Sequence, residues 1–219
     1  MNRSPLRVFL LIPFALACFA LSPQARAVCQ EGCLTNQNTV LGDDALLNNT
    51  GANNTAVGFD ALFSNTTADN NTAIGAQALF SNTTASGNTA IGVQALFSNT
   101  TGSANTANGF HALYSNTTGI NNTAIGFALT SNVTGGGNTA IGYNALASNT
   151  NGDFNTAIGV DALSPTIGSG NIAIGWRAGT NHATGVGNEQ TCVANGRQRL
   201  ASIAMILWRC LNRAPHENS

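Results

Sequence analysis

The sequence predicts an all-β fold, a parallel β-roll or β-solenoid of about nine rungs, and three observations predict it. First, a phrase of the form NTAIG…AL…SNTT recurs. Its glycine falls at Gly42, Gly58, Gly75, Gly92, Gly109, Gly126, Gly142, Gly159 and Gly175, in steps of 16 or 17 residues. A fixed period of that length marks a stacked array before any other architecture. Second, each turn of a would-be helix meets Gly or a run of Asn and Thr, residues that favour turns over helical interiors. Third, the one-residue shortenings of the period fall in "NNTGANN", "GFAL" and "SPTIGSGN", never inside "TAIG" or the "AL" pair. Loops tolerate such losses and stacked strands do not.

Taken in order, residues 1–27 read as a signal peptide. Arg3 and Arg7 precede the apolar run "VFLLIPFALACFAL", and "ARA" at Ala25 to Ala27 supplies a small-x-small cleavage site before Val28. The run is too short for a convincing membrane span. The expected destination is therefore secreted or cell-surface, by export through the inner membrane, with no membrane span after signal cleavage. A second reading makes Cys18, in "ALAC", a lipoprotein acceptor. Residues 28–37 form an N-terminal cap or linker. Cleavage leaves Cys29, Cys33, Cys192 and Cys210, whose three pairings stay open in an oxidising compartment. A Cys29–Cys33 bridge would close a short, strained loop, and no His or further Cys stands near that pair to suggest a metal. A terminal staple is the preferred reading.

Residues 38–187 carry the roll. Two short strands are expected per rung, "TAIG" and "ALFS", joined by a wide turn, "SNTTASGN", and by a narrow corner after each glycine such as Gly75 or Gly92. Alternation places Thr72 and Ile74 on one face of the strand and Ala73 and Gly75 on the other. Stacking at ~4.8 Å puts like on like, in a rod on the order of 40 Å long. One core column is Leu62, Leu79, Leu96 and Leu113 with their equivalents. The column expected to face it contains Ile74, Ile91 and, as one polar break, Asn108. Burial of Asn108 would then require a local hydrogen-bond partner. Ala73, Ala90, Ala124 and Ala157 are expected to point away from the Ile file and, with Phe63, Phe80, Phe97 and Tyr114, to form a subunit contact. Asn71, Asn88 and their equivalents sit at the mouth of the wide turn, where each amide can bond to the next as in stacked Asn ladders. Asn65, Asn82 and Asn99 match N-x-T glycosylation acceptors, although their turn-forming chemistry explains them without sugar.

Composition argues against several functions. Charged residues are 8% of the chain and the formal charge is −1, which offers no electrostatic grip on nucleic acid. All the basic residues are Arg, and only Arg177 lies within the repeats. Catalysis needs convergent titratable groups. His111, His182 and His216 stand at no metal or triad spacing, and His111 replaces Gln77 and Gln94 of neighbouring rungs, a surface position. Asp44, Asp60 and Asp161 share one column interrupted by those glutamines. The calcium-binding pattern "GGxGxD" is missing. The expectation is a non-enzyme without cofactor or metal. A file of Thr, from Thr39 through Thr72 and Thr89 to Thr156, keeps ice binding as an alternative, weakened because Ile and not a second Thr follows two residues on.

The repeated "NTAIG…AL" in an exported chain resembles the head repeats of trimeric autotransporter adhesins, of the form "NSVAIGxxSxAxG". The longer form with "ALFSNTTG" is similar to repeats of phage tail-fibre-like and bacterial surface proteins. That resemblance, over residues 38–187, implies a left-handed roll, a homotrimer and an adhesive surface for a host-cell, matrix or other surface ligand. The coiled-coil stalk and membrane-anchoring barrel of such adhesins are not visible, nor is the self-cleaving chaperone domain of tail fibres. In residues 188–219 the Asn-Thr rhythm fades. Leu200, Ile203, Leu207 and Leu211 follow helical spacing, so this segment reads either as a short C-terminal capping helix or as an aberrant, frameshifted or truncated tail.

Overall fold

The computed structural model describes residues 36–165 and 168–180 and the backbone of 191–193. Residues 1–27, which the sequence reads as a signal peptide, all four cysteine side chains, His182, His216 and the segment with helical spacing lie outside the described residues. The described residues form a single parallel β-solenoid. Its strands are β1 Thr39–Leu41, β2 Thr55–Val57, β3 Thr72–Ile74, β4 Thr89–Ile91, β5 Thr106–Asn108, β6 Thr123–Ile125, β7 Thr139–Ile141, β8 Thr156–Ile158, β9 Ile172–Ile174 and β10 Thr191–Val193. They stack in sequence order as one ten-stranded sheet. Thr pairs with Thr, Ala with Ala, and Ile with Ile from rung to rung, and the register survives each shortened period. β10 adds one strand beyond the last recognisable repeat, placing Cys192 opposite Ala173.

Each rung contributes one strand of three residues, not two strands. The "ALFS" segment is a corner. Its conformation alternates: Gln77 and Leu79 have φ of 58° and 53°, and the same pair recurs at Gln94 and Leu96 with 56° and 53°. The left-handed region costs a Leu roughly 1–2 kcal/mol, and this is why the corner was unreadable as such from residue type. What holds it there is cross-rung bonding in both directions. The Gln77 N–H donates to the Phe59 carbonyl below, while the Leu79 N–H donates to the Ala95 carbonyl above. Turning the Leu backbone also drives its side chain fully inside, a burial worth roughly 1.5–3 kcal/mol.

The strand faces the opposite way from the expected one. Ala90 is 0% exposed and Ile91 37%. The interior is a narrow core of Ala and Leu: Ala73, Ala78 and Leu79 in one rung, Ala90, Ala95 and Leu96 in the next. A core so thin admits a methyl but not an Ile where the strand crosses the leucine column. The Ala73, Ala90, Ala124 and Ala157 file is therefore buried and forms no subunit contact. Ile74 and Ile91 form an outer column, and Asn108, in register with both neighbours of that column, is exposed. No buried polar break exists there.

Glycine at the narrow corner is required by close approach. Gly75 has φ 134°, and a Cβ built on it would lie 2.5 Å from the Gly92 carbonyl oxygen. Gly92 meets Gly109 in the same way, so the Gly column is set by backbone touching backbone.

Candidate functional site

The side of the rung opposite the narrow corner is closed by two files of buried asparagine. The first runs through Asn54, Asn71, Asn88, Asn105, Asn122, Asn138 and Asn155. In it the Asn88 N–H donates to the Asn71 Oδ1 at 2.9 Å, and the Asn71 Nδ2 donates to the Ala85 carbonyl at 3.0 Å. The second runs through Asn65, Asn82, Asn99, Asn116, Asn132 and Asn149, and it is the true amide ladder. Its Asn82 Nδ2 donates to the Asn65 Oδ1 at 2.9 Å and to the same Ala85 carbonyl at 2.9 Å. One carbonyl per rung thus accepts from both files, and both its lone pairs are used. Amide-to-amide bonding in the first file appears only from Asn105 onward, at 3.0–3.3 Å. The sequence located the first file but assigned it the bonding of the second. Burial also removes Asn65, Asn82 and Asn99 as glycan acceptors in the folded chain, since each is fully enclosed.

Two outward surfaces remain for function. One is the outer face of the sheet, where Thr72, Thr89, Thr123 and their equivalents run beside Leu41, Val57, Ile74, Ile91, Ile125, Ile141, Ile158 and Ile174. The other is the narrow corner, built from three neighbouring columns. Its first column, after each glycine, holds Phe59, Val93, Phe110, Phe127, Tyr143 and Trp176. The third holds Phe63, Phe80, Phe97 and Tyr114, whose rings stack at 5.2 Å within 8° of parallel. That spacing is the rung repeat itself, slightly stretched by ring offset.

Between them runs a polar column. Gln77 Nε2 donates to Asp60 Oδ2 at 3.4 Å, Gln94 Nε2 to Gln77 Oε1 at 2.9 Å, and Gln94 Oε1 lies 2.6 Å from His111 Nε2. The carboxylate at the lower end can only accept, so each amide above it is oriented, and His111 must carry its proton on Nε2. His111 also stacks on Phe110 with centroids 3.8 Å apart and lies 4.6 Å from Tyr114. Asp44, Asp60 and Asp161 fall in this column, separated as the sequence indicated. Among the described residues, no group of three or more His, Cys, Asp or Glu could hold a metal ion. No helix among them is long and apolar enough to cross a membrane.

Compared with known proteins, the chain matches no family model, no curated protein and no solved structure.

Proposed function

We propose that the chain is an exported, non-catalytic structural and adhesive rod, akin to an adhesin head, that works as a homotrimer. The observation that carries this reading is the outer sheet face. A file of Val and Ile side chains, interrupted only at Asn108, runs beside a Thr file along the stack, while the smaller Ala side chains occupy the core. A contiguous apolar strip of that length is rarely left open on a monomer, and a strip that repeats with the rungs suits copies of itself in parallel. Adhesion then arises from many equivalent weak contacts along a rod, so avidity rises steeply with valency. The signal segment and the likeness of the repeats to adhesin heads support export and surface display. Sedimentation equilibrium of the chain without residues 1–27 tests the assembly: a trimer mass is expected, and a stable monomer overturns it. Binding of clustered protein to immobilised matrix or cell surfaces tests adhesion, and no binding at any valency leaves only a structural rod.

The same face supports a second reading, ice binding, because Thr and Ile files on a flat parallel sheet present a regular lattice. The two readings compete for one surface, since a trimer interface would cover it. Thermal hysteresis from a monomeric sample would favour ice; its absence, with a trimer mass, favours the first reading.

A further inference from the structure

The Gly126 rung is one residue shorter than its neighbours, and the missing residue is the polar one between Phe127 and Ala128. In other rungs that residue donates its N–H to the carbonyl one rung below: Gln94 to Ala76, His111 to Val93, Asn144 to Phe127, Asp161 to Tyr143. The short rung has no such N–H, and the Phe110 carbonyl receives no hydrogen bond among the described residues. The corner has adjusted around the loss. Gly126 has φ 94°, against 143° at Gly109 and 131° at Gly142.

The loss interrupts the polar column between His111 and Asn144 and leaves an aromatic platform beside the gap. The Phe127 ring centroid lies 6.3 Å from that of Phe110, 6.2 Å from that of His111 and 5.6 Å from that of Tyr143. Phe110 and Tyr143 are 57% and 59% exposed. The polar groups that flank the gap are oriented acceptors. With Nε2 of His111 engaged by Gln94, Nδ1 of the neutral imidazole is an acceptor. Asn144 donates its Nδ2 to Asp161 Oδ1 at 3.2 Å, which leaves Asn144 Oδ1 to accept. No basic side chain flanks the gap, and the nearest acid is the one Asn144 already holds.

An apolar platform with a few placed polar groups is the usual make-up of a small-ligand site. Three neutral acceptors beside aromatic rings offer nothing to an anion. They suit a ligand that has an apolar face and several hydroxyl donors. We propose that the short rung binds a neutral saccharide, with a C–H face of one sugar ring on Phe127 and Tyr143 and hydroxyls donating to the Phe110 carbonyl, His111 and Asn144. This rests on the adhesive reading only in giving it a ligand class, and it holds for a monomer as for a trimer.

The experiment uses the full mature chain with maltotriose, cellotriose and lactose as neutral probes, sialyllactose as an acidic one and a Phe-containing tripeptide as an apolar one. Saturation transfer in the NMR spectrum reads binding. At least one neutral sugar should bind, and Tyr143→Ala should weaken it roughly tenfold or more. Inserting Gln after Phe127 restores the common rung length; it should abolish binding while raising the melting temperature, because the Phe110 carbonyl regains its donor. No transfer to any neutral sugar, binding that survives the insertion, or preference for the acidic or peptide probe would overturn the proposal, as would a lower melting temperature of the insertion variant. A monomer mass, or failure to bind matrix, would overturn the adhesive trimer without touching these outcomes.

Discussion

The wide-turn side of the solenoid and its narrow corner are built from the same repeats but under different rules. On the wide-turn side, Asn71, Asn82 and their equivalents are enclosed, and every amide bonds to the rung above or below. At the corner the positions after each glycine vary from Ala76 to Trp176, one rung drops a residue, and the Phe110 carbonyl lacks the donor that the equivalent carbonyls of Ala76, Val93, Phe127 and Tyr143 have. The difference follows from solvent. A buried amide without its partners costs free energy that water cannot return, so Asn recurs at every enclosed position from Asn54 to Asn155, and the two shortened periods on this side fall in the turn segments "NNTGANN" and "SPTIGSGN". The corner faces water, which returns part of the free energy of a lost bond, and variation accumulates where its cost is smaller.

The largest expected effect comes from placing charge in the enclosed core. Leu96→Asp should abolish cooperative folding, since an unpaired buried carboxylate costs several kcal/mol, roughly 3–5. Gln94→Asp, two residues away at the corner, should change stability by less than ~1 kcal/mol. Equal melting temperatures for the pair would erase the distinction between the two sides.

Next in size is the amide ladder. Asn82→Ala removes two donated bonds and takes from the Asn99 amide above one of its two acceptors, leaving it the Gly102 carbonyl, at roughly 1–3 kcal/mol for each group left unsatisfied. Urea denaturation should show a loss well above that of Thr83→Ala, whose hydroxyl bonds only the Thr100 carbonyl at the half-exposed edge. Similar midpoints would mean that the ladder is a passenger of the turn.

A smaller effect sharpens which face of the strand is inside. Ala90→Leu should destabilise by about 1–3 kcal/mol through overpacking of the narrow core. Ile91→Ala, one residue on, should barely move the melting temperature of the monomeric state. Its consequence belongs to assembly: repeated at Ile74, Ile91 and Ile125, the change should shift the sedimentation equilibrium toward monomer. If the Ile variants unfold and the Ala variant does not, the strand faces the other way.

Much of this architecture was legible in the sequence because stacking repeats its demands. The glycine period marks every corner, the leucine column marks the core, and the deletions mark the turns. Three features were not legible. Leu79 in the left-handed region has no residue-type signature, so "ALFS" read as a strand. Alternation in "TAI" divides Thr and Ile from Ala without saying which set lies inside, and hydrophobicity pointed to Ile. The Asn82 file looked like turn chemistry or glycan acceptors because its partner lies 17 residues away. A signal for the second and third was present: Ala73, Asn71 and Asn82 recur with less variation in type than the positions after glycine.

The sequence by itself determined the period, the parallel stack, the glycine corner and the wide turn, because each depends on residue types that recur at fixed spacing. The tertiary structure alone decided that Ala fills the interior and Ile the surface, that two asparagine files share one carbonyl per rung, and that the short rung frees the carbonyl of Phe110. The physical reason is one of cross-section. How much room a rung leaves inside depends on the left-handed corner at Leu79 and Leu96, and that corner is held by bonds to the rungs above and below, which no single repeat contains.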